Sequence, residues 1–460
     1  MASFAVASSS GLPVLVQCGS DTDIGGGREN QDDCFVHSSA GIVILCVLDG
    51  HGREVGKVAA NTARQTLITY FTQACPVLAA CEDIRTATYE CLVQAHNVAH
   101  IAIKDAFRAE MESQGFEVEE TEGGFLRKRR PPANVWSCVH GGSSCSIVAV
   151  VRNMIYVANV GDSSGIVCSY NKVFHQTMMI HLGDAANGGL LPYTQDEESK
   201  DSMDGMAEEM SGSTSQKLDT VIITAEHSPE SPSEFTRLRT FRCNEEDPRF
   251  PSLSVVYDSQ SANRLECPPV FRLDEHGAPH VLGNGCYHKN VRQEWASLVA
   301  TPSTAQFQDA LAFTRSLGDL HLHTYGVTHE PEVRCCSLDS LWTDLNSNTS
   351  SQLGDLQAGG GDKVDPRVAA SVFCIVLATD GVWDNWAYED VTRFVMHSSC
   401  ITAVQNAPDG AQRVAQSFMQ RNAVYARRNF GSQADNATGI VAYVGKSESG
   451  VFSTRIVSST

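Results

Sequence analysis

The sequence contains no apolar run near the roughly 20 residues that a helix needs to span a bilayer, which argues against an integral membrane protein. Basic residues are also few, since 34 Lys and Arg stand against 54 Asp and Glu, a net charge of −20. Nucleic-acid binders neutralise phosphates with an excess of basic residues, so this balance argues against nucleic acid as a partner. The sixteen cysteines include no CxxC pair, and residues 1–17 lack the basic segment of a secretory signal. We therefore expect reduced thiols in a cytoplasmic or nuclear protein.

What the sequence does contain is a series of short, well-patterned segments. Residues 42–48 (IVILCVL) form a continuous apolar run that ends at Asp49 and Gly50, which is typical of a buried strand entering a turn. Strands and helices do not alternate regularly, so their order favours an α+β architecture over a doubly wound one. The predicted strands are 42–48, 144–151, 154–160, 164–170, 371–379 and 438–444, and the predicted helices are 57–74, 84–113, 386–398 and 409–427.

Three polar segments interrupt this pattern. Residues 184–218 are acidic and rich in Ser, Gly and Met, residues 243–300 carry Pro, Asn and His without periodicity, and residues 344–367 are rich in Gly, Ser and Asn. Such compositions bury too little apolar area to offset the entropy of ordering, so we predict loop or disordered insertions. The chain is thus predicted to form one domain over residues 12–446. A basic run, RKRR at 127–130, is interpreted as a solvated loop, with a targeting signal or docking patch as the alternative.

Four aspartates lie beside apolar strands and next to Gly, Ser or Asn. Asp49 follows IVILCVL, Asp162 follows IYVANV, Asp380 follows VFCIVLAT, and Asp435 precedes a strand in DNATGIVAYV. A carboxylate at a strand end projects from a rigid support, and several that converge raise one another's pKa unless cations neutralise them. Oxygen ligands without paired Cys or His favour Mg²⁺ or Mn²⁺. A two-metal carboxylate site and a scatter of turn-capping aspartates both fit this spacing.

These residues also carry a family resemblance. The chain resembles the metal-dependent protein phosphatases (type 2C, PPM-type Ser/Thr phosphatases), because eight motifs occur in the family's order over most of its length. The resemblance implies two packed antiparallel β-sheets flanked by helices, an αββα sandwich, with a binuclear metal site at one end. The motifs are GGRENQDD at 26–33, LDGHG at 48–52, SSCSIVAVV with ANVGDS as one motif within 143–163, ITAEHSPESPSEFTRL at 223–238, FTRSLGD at 313–319, GVTHEPEV at 326–333, LATDGVWD at 377–384 and DNATGIV at 435–441.

The resemblance assigns the metal ligands residue by residue. Asp49 would bridge two ions, and the backbone carbonyl of Gly50 would complete one ligand set. Asp380 and Asp435 would bind the other ion. Asp32 would hold metal-bound waters.

Three further roles follow from the same motifs. Asp162 matches a position that helps a third, weaker ion to bind. Arg28 matches the arginine that grips the substrate phosphate, a task that suits the forked guanidinium. His51 matches the proposed proton donor to the leaving group. Because Asp32 and Asp33 are adjacent, a shift of one residue would exchange their roles.

The resemblance implies a protein-serine/threonine phosphatase, a hydrolase of phosphoric monoesters that acts on phosphoproteins. Two ions would share a water, lower its pKa and direct it at phosphorus without a covalent intermediate. We expect a monomer. Two alternatives are a pseudophosphatase that keeps the fold as a binding module, and a phosphohydrolase of small phosphoesters or nucleic acid; the net charge and the motifs disfavour the latter.

Overall fold

The computed structural model describes residues 3–6, 14–169, 180–181, 219–241, 253–259, 266–339, 341 and 372–446. The segments 184–218 and 344–367, predicted as insertions, lie outside these ranges. Within the ranges, none of the helices combines the length and the apolar character that crossing a membrane requires.

The described residues contain short and medium-length strands and eight α-helices. The strands are β1 (Ser3–Val6), β2 (Val14–Asp23), β3 (Asp33–Ser39), β4 (Ile42–Leu48), β5 (Gly50–His51), β6 (Glu117–Glu120), β7 (Leu126–Arg129), β8 (Ser137–Cys138), β9 (Gly142–Ser143), β10 (Cys145–Val151), β11 (Met154–Val160), β12 (Ser164–Ser169), β13 (Ile180–His181), β14 (Asp219–Ile222), β15 (Ser254–Tyr257), β16 (Phe271–Leu273), β17 (Pro279–Val281), β18 (Ser297–Ala300), β19 (Ala310–Leu311), β20 (Leu317–Gly318), β21 (Glu332–Ser337), β22 (Val372–Ala378) and β23 (Ala437–Lys446). The helices are α1 (Gly56–Ala80), α2 (Ile84–Ser113), α3 (Pro232–Thr240), α4 (Leu320–His323), α5 (Asp380–Trp383), α6 (Tyr388–Val395), α7 (Ser398–Asn406) and α8 (Gly410–Phe430), with a 3₁₀ turn at Gly431–Gln433.

Two six-stranded antiparallel sheets pack face to face. Sheet I has the order β1-β2-β23-β22-β12-β14, and sheet II has the order β13-β21-β11-β10-β4-β3. Helices cover both outer faces, so the α+β fold with an αββα sandwich, predicted from the sequence, is confirmed.

The continuous apolar runs are explained by burial on both faces of a strand. In β4, Ile44 and Cys46 face the core under α1 and α2, whereas Val43 and Leu45 face the core between the sheets. In β22, residues 372–378 alternate in the same way between the core between the sheets and the core under α5 to α8. A strand that is buried on both sides needs apolar residues at every position.

The outer helices bury stripes of side chains at helical spacing. In α2 the buried stripe consists of Leu92, Ala95, Ala99, Ile103 and Phe107. The helix predicted over 386–398 is the shorter α6, because the chain is extended at His397, which caps α7, a helix that lies almost wholly beyond the predicted range.

Residues 243–300 differ from the expectation of a loop or disordered insertion. In their described part, β15 and β18 pair with each other, and β18 pairs with β19. Val255, Tyr257 and Val299 from these strands form a separate small core with Phe313 and Leu322. The apolar stretches are only three or four residues long, too short to stand out among the surrounding Pro and Asn.

Candidate active site

Strand ends of both sheets meet at one end of the sandwich. Asp49 follows β4 and Asp380 follows β22, each at the carboxyl end of a fully buried strand. Antiparallel pairing brings the start of β3 beside the end of β4 (Asp33 opposite Leu48) and the start of β23 beside the end of β22. Residues far apart in the chain are therefore collected at this end.

Asp49, Asp162 and Asp380 are brought together. One carboxylate oxygen from each lies within 4.8 Å of the others. The Oδ1 atoms of Asp162 and Asp380 are buried and have no hydrogen-bond partner among the described residues, and neither does Oδ1 of Asp32. Buried carboxylate oxygens without donors are the ligands that Mg²⁺ and Mn²⁺ take in proteins, so this donor set fits such ions.

Backbone contacts hold these aspartates in place. The amide of Ser144 donates to the carbonyl oxygen of Asp49 (2.8 Å), and Oγ of Ser144 accepts from the Asp49 amide (3.3 Å). The same Oγ lies 2.6 Å from Oγ of Ser163, the residue after Asp162. At Gly50 a Cβ would lie 2.3 Å from the carbonyl oxygen of Gly56. Only glycine allows this close approach.

Asp32 and Asp33 point to different partners. Oδ2 of Asp32 accepts a hydrogen bond from Oγ1 of Thr379 at 2.8 Å, next to Asp380. Oδ1 of Asp33 lies 3.3 Å from Nε of Arg64 in α1. Asp32 therefore lies with Asp49, Asp162 and Asp380, and we call these four residues the acidic cluster. Asp33 lies outside it. The sequence left the choice between Asp32 and Asp33 open.

Burial and mutual repulsion shift the acids of this cluster. Burial raises the pKa of Asp49 well above its ordinary value, and the charges of Asp380, Asp32 and Asp162 raise it further. Burial also raises the pKa of Asp380 well above its ordinary value, and the charge of Asp162 is the next largest cause of the rise. The pKa of Asp32 rises to about 7, because burial outweighs the hydrogen bond from Thr379. An ion that displaces these protons would relieve the repulsion.

Asp435 and Arg28, both exposed, lie in segments that contact each other beside Asp32. Asp435 is exposed, and its charge raises the pKa of Asp32. Asn436 beside it donates to the carbonyl oxygens of Ile24 (2.8 Å) and Glu29 (3.2 Å). These bonds hold the turn that carries Arg28, whose side chain is exposed to solvent.

His51 and Asp319 form a pair at the edge of the cluster. Nε2 of His51 lies 2.8 Å from Oδ2 of Asp319, and its ring packs edge-on against Phe313. Burial lowers the pKa of His51, but the charge and hydrogen bond of Asp319 outweigh it, so the pKa is raised above its ordinary value. Asp319 belongs to the motif FTRSLGD, but no role for it follows from the sequence.

A lysine that no sequence motif marks lies near the acidic cluster. Lys289, in the segment predicted as an insertion, lowers the pKa of Asp162, although burial still raises it overall. It also acts on Asp384, the last residue of LATDGVWD, whose pKa burial raises to about 7. Arg292, nearby, donates to the carbonyl of Trp383. No motif in the sequence links this segment to the acidic cluster.

Two packed antiparallel sheets with an acidic cluster at one end are the arrangement that the resemblance to the metal-dependent protein phosphatases implies. Residues 77–187 match the family model of protein phosphatase 2C. This match confirms the resemblance over those residues, and it supports the interpretation of the chain as a protein serine/threonine phosphatase, a hydrolase. The roles of the individual site residues stay predictions.

The chain is also similar to solved structures at low sequence identity. A serine-threonine phosphatase 2C from Toxoplasma gondii is 14% identical with a TM-score of 0.45, over 96% of this chain and 98% of that one. A serine/threonine phosphatase from S. agalactiae is 11% identical with a TM-score of 0.38, over 93% of this chain and 98% of that one. No curated protein matches the sequence.

Proposed function

We propose that this phosphatase depends on Mg²⁺ or Mn²⁺ and hydrolyses phosphoserine and phosphothreonine in proteins. The observation that carries the proposal is the proximity of Asp49, Asp162 and Asp380, since one carboxylate oxygen of each lies within 4.8 Å of the others. The Oδ1 atoms of Asp162 and Asp380 are buried and have no hydrogen-bond partner among the described residues. Asp32, the carbonyl of Gly50 and Asp435 complete the proposed ligand set for two ions and a weaker third.

The chain's own residues have distinct tasks in this proposal. When bound, two divalent ions would supply a water of lowered pKa for direct attack on phosphorus. Arg28, on its exposed turn, would bind the phosphate oxygens. His51, held by Asp319, would donate a proton to the departing serine or threonine oxygen, which is too basic to leave alone.

The partners and the location are proposed on composition. We propose phosphoprotein substrates, a monomer, and a cytoplasmic or nuclear location. The net charge of −20 disfavours nucleic acid, because phosphate backbones would be repelled.

Phosphate release from a phosphopeptide, measured with Mg²⁺, with Mn²⁺ and with EDTA, tests the proposal. We expect release with either ion and none in EDTA. Asp32→Asn should weaken metal binding and release, whereas Asp33→Asn, the matched neighbour paired with Arg64, should change them little. Full activity in EDTA would contradict the metal dependence. A folded protein that binds ions by calorimetry but releases no phosphate would instead support a pseudophosphatase.

A further inference from the structure

Three histidines form a second cluster of metal-ligand side chains. His100 lies in α2, His323 ends α4, and His329 follows in the next loop. One ring nitrogen from each lies within 4.8 Å of the others. The ring of His100 stacks on those of His329 (centroids 4.1 Å apart) and His323 (4.5 Å). We call these residues the histidine cluster.

The hydrogen bonds of the cluster leave nitrogen atoms available. Nε2 of His323 lies 3.2 Å from the carbonyl oxygen of Ser316, which can only accept, so Nε2 carries the proton and Nδ1 keeps its lone pair. Histidine ligands of metal ions are commonly oriented in this way by a backbone carbonyl. Nδ1 of His329 is buried and has no hydrogen-bond partner among the described residues.

All three rings are held neutral, as metal ligands must be. Burial, followed by the neighbouring histidines, lowers the pKa of His100 to about 2. Burial and His329 lower the pKa of His323 to about 4, and burial lowers that of His329. Packing alone does not account for the cluster, because apolar rings would pack there without leaving a buried nitrogen unpaired.

We propose that the histidine cluster binds Zn²⁺, at a site separate from the acidic cluster. Imidazole nitrogens suit zinc, and three of them with water in the fourth position form a known zinc geometry. All three side chains are partly exposed, so an ion and its water can reach them. The rings would turn out of their stack to point their lone pairs at an ion about 2.0–2.1 Å away.

Zinc binding would change the backbone beside the proposed proton donor. The amide of Gly318 donates to Nδ1 of His100 at 3.2 Å, so Nε2 of that neutral ring carries the proton. If the ion takes Nδ1, it displaces the amide. If the ion takes Nε2, the proton moves to Nδ1 and faces the amide. Either way this hydrogen bond is lost, next to Asp319, which holds His51.

Zinc binding to the full chain tests the site without any activity measurement. The variant Asp49→Asn/Asp380→Asn removes two acids of the acidic cluster, and equilibrium dialysis should still find one zinc per chain. Adding His329→Gln should weaken that binding by at least the roughly 10- to 100-fold that loss of an outer partner of a ligand costs. His276→Gln, on an exposed turn, is the matched control and should leave the affinity unchanged.

Two further readouts decide the proposal if a histidine variant does not fold. Co²⁺ added to the unmodified chain should give the strong visible absorption of four-coordinate nitrogen ligation in addition to the weak bands of an octahedral oxygen site. Zinc should also speed hydrogen–deuterium exchange at the Gly318 amide. Weak octahedral bands alone, or unchanged zinc affinity in a folded His329→Gln variant, would overturn the proposal. Neither result bears on the acidic cluster, so the proposed phosphatase mechanism is tested independently.

Discussion

The carboxylate of Asp319 lies 2.8 Å from Nε2 of His51, although 268 residues separate them in the chain. Asp319 has a left-handed backbone (φ 42°), a conformation that is strained for a residue with a side chain. Gly142 makes room for it, since a Cβ there would lie 2.4 Å from Oδ2 of Asp319. The left-handed backbone of Asp319 and the absence of a side chain at Gly142 together place the Asp319 carboxylate against the imidazole of His51. This is the arrangement expected of a residue that positions His51.

Asp319→Asn should shift the pH dependence of the phosphatase. Without the carboxylate, burial is opposed only by the smaller effects of the Asp162 and Asp309 charges, so the pKa of His51 falls. Because the protonated ring is the proposed donor, activity on a phosphopeptide should be lost at a lower pH than in the unmodified enzyme. The profile of kcat against pH measures this shift. Asp105→Asn, on an exposed position of α2, is the control; a profile for Asp319→Asn that matches it would remove Asp319 from the mechanism.

His51→Gln should discriminate between substrates by their leaving groups. A serine or threonine oxygen needs a proton as the P–O bond breaks, whereas nitrophenolate does not. General acid catalysis is typically worth about 10²- to 10⁴-fold, so kcat should fall by that much on phosphopeptides and far less on p-nitrophenyl phosphate. Equal losses on both substrates would mean that His51 only packs in its turn. His276→Gln should affect neither rate.

The metal-free protein should lose stability as the pH rises from about 4 to about 7. Acids in the cluster have raised pKa values in the folded state, about 7 for Asp32, against about 3.9 in an unfolded chain. In this window the folded state retains protons that the unfolded state has lost, so the free energy of unfolding falls with pH. Each such proton is worth about 1.4 kcal/mol per pH unit.

Thermal unfolding in EDTA at several pH values measures this effect. Mg²⁺ should restore stability most at the upper end of the window. Asp49→Asn/Asp380→Asn should flatten the dependence, whereas Asp105→Asn should leave it intact. A stability that rises with pH across this window would contradict the arrangement of the acids.

Glu234 should be critical for stability. Its buried carboxylate accepts from Arg315 (2.6 Å), Thr314 (2.6 Å) and Arg237 (2.8 Å). Burial raises the pKa of Glu234, but the two arginines outweigh burial and lower it. Glu234→Gln leaves two arginines without their counter-charge, so the free energy of unfolding should fall by about 3–5 kcal/mol.

Urea denaturation checks this value. Glu29→Gln is the matched control, because Glu29 and Lys57 form an exposed pair 3.0 Å apart. Removing such a pair should change the free energy of unfolding by at most about 1 kcal/mol. Similar losses in both variants would show that burial adds nothing to the Glu234 network.

The strands that position the acidic cluster could be predicted, because a strand buried on both faces leaves a continuous apolar run. The runs at 42–48 and 371–379 are enough to mark Asp49 and Asp380 as strand-end residues. The choice between Asp32 and Asp33 could not be made, since adjacent residues of an extended segment point to opposite sides and the sequence does not state which side faces the other acids.

Other parts of the site depend on contacts that no local pattern encodes. Lys289 reaches the acidic cluster from a segment whose strands are too short to recognise. His100 meets His323 and His329 only because α2 packs beside β20, and nothing in the helix sequence announces those partners. The role of Asp319 likewise required the pairing of β9 with β5 and β20, which brings Gly142 beside it.

The placement of β2 has a consequence for the newly made chain. This strand, residues 14–23, pairs along its whole length with β23, residues 437–446, which is synthesised more than four hundred residues later. Sheet I therefore cannot close on the ribosome until its last strand has emerged, and Asp435, just before that strand, arrives at the same moment. A chain translated only as far as β22 lacks both β23 and Asp435, so the proposed ligand set stays incomplete until β23 has been made.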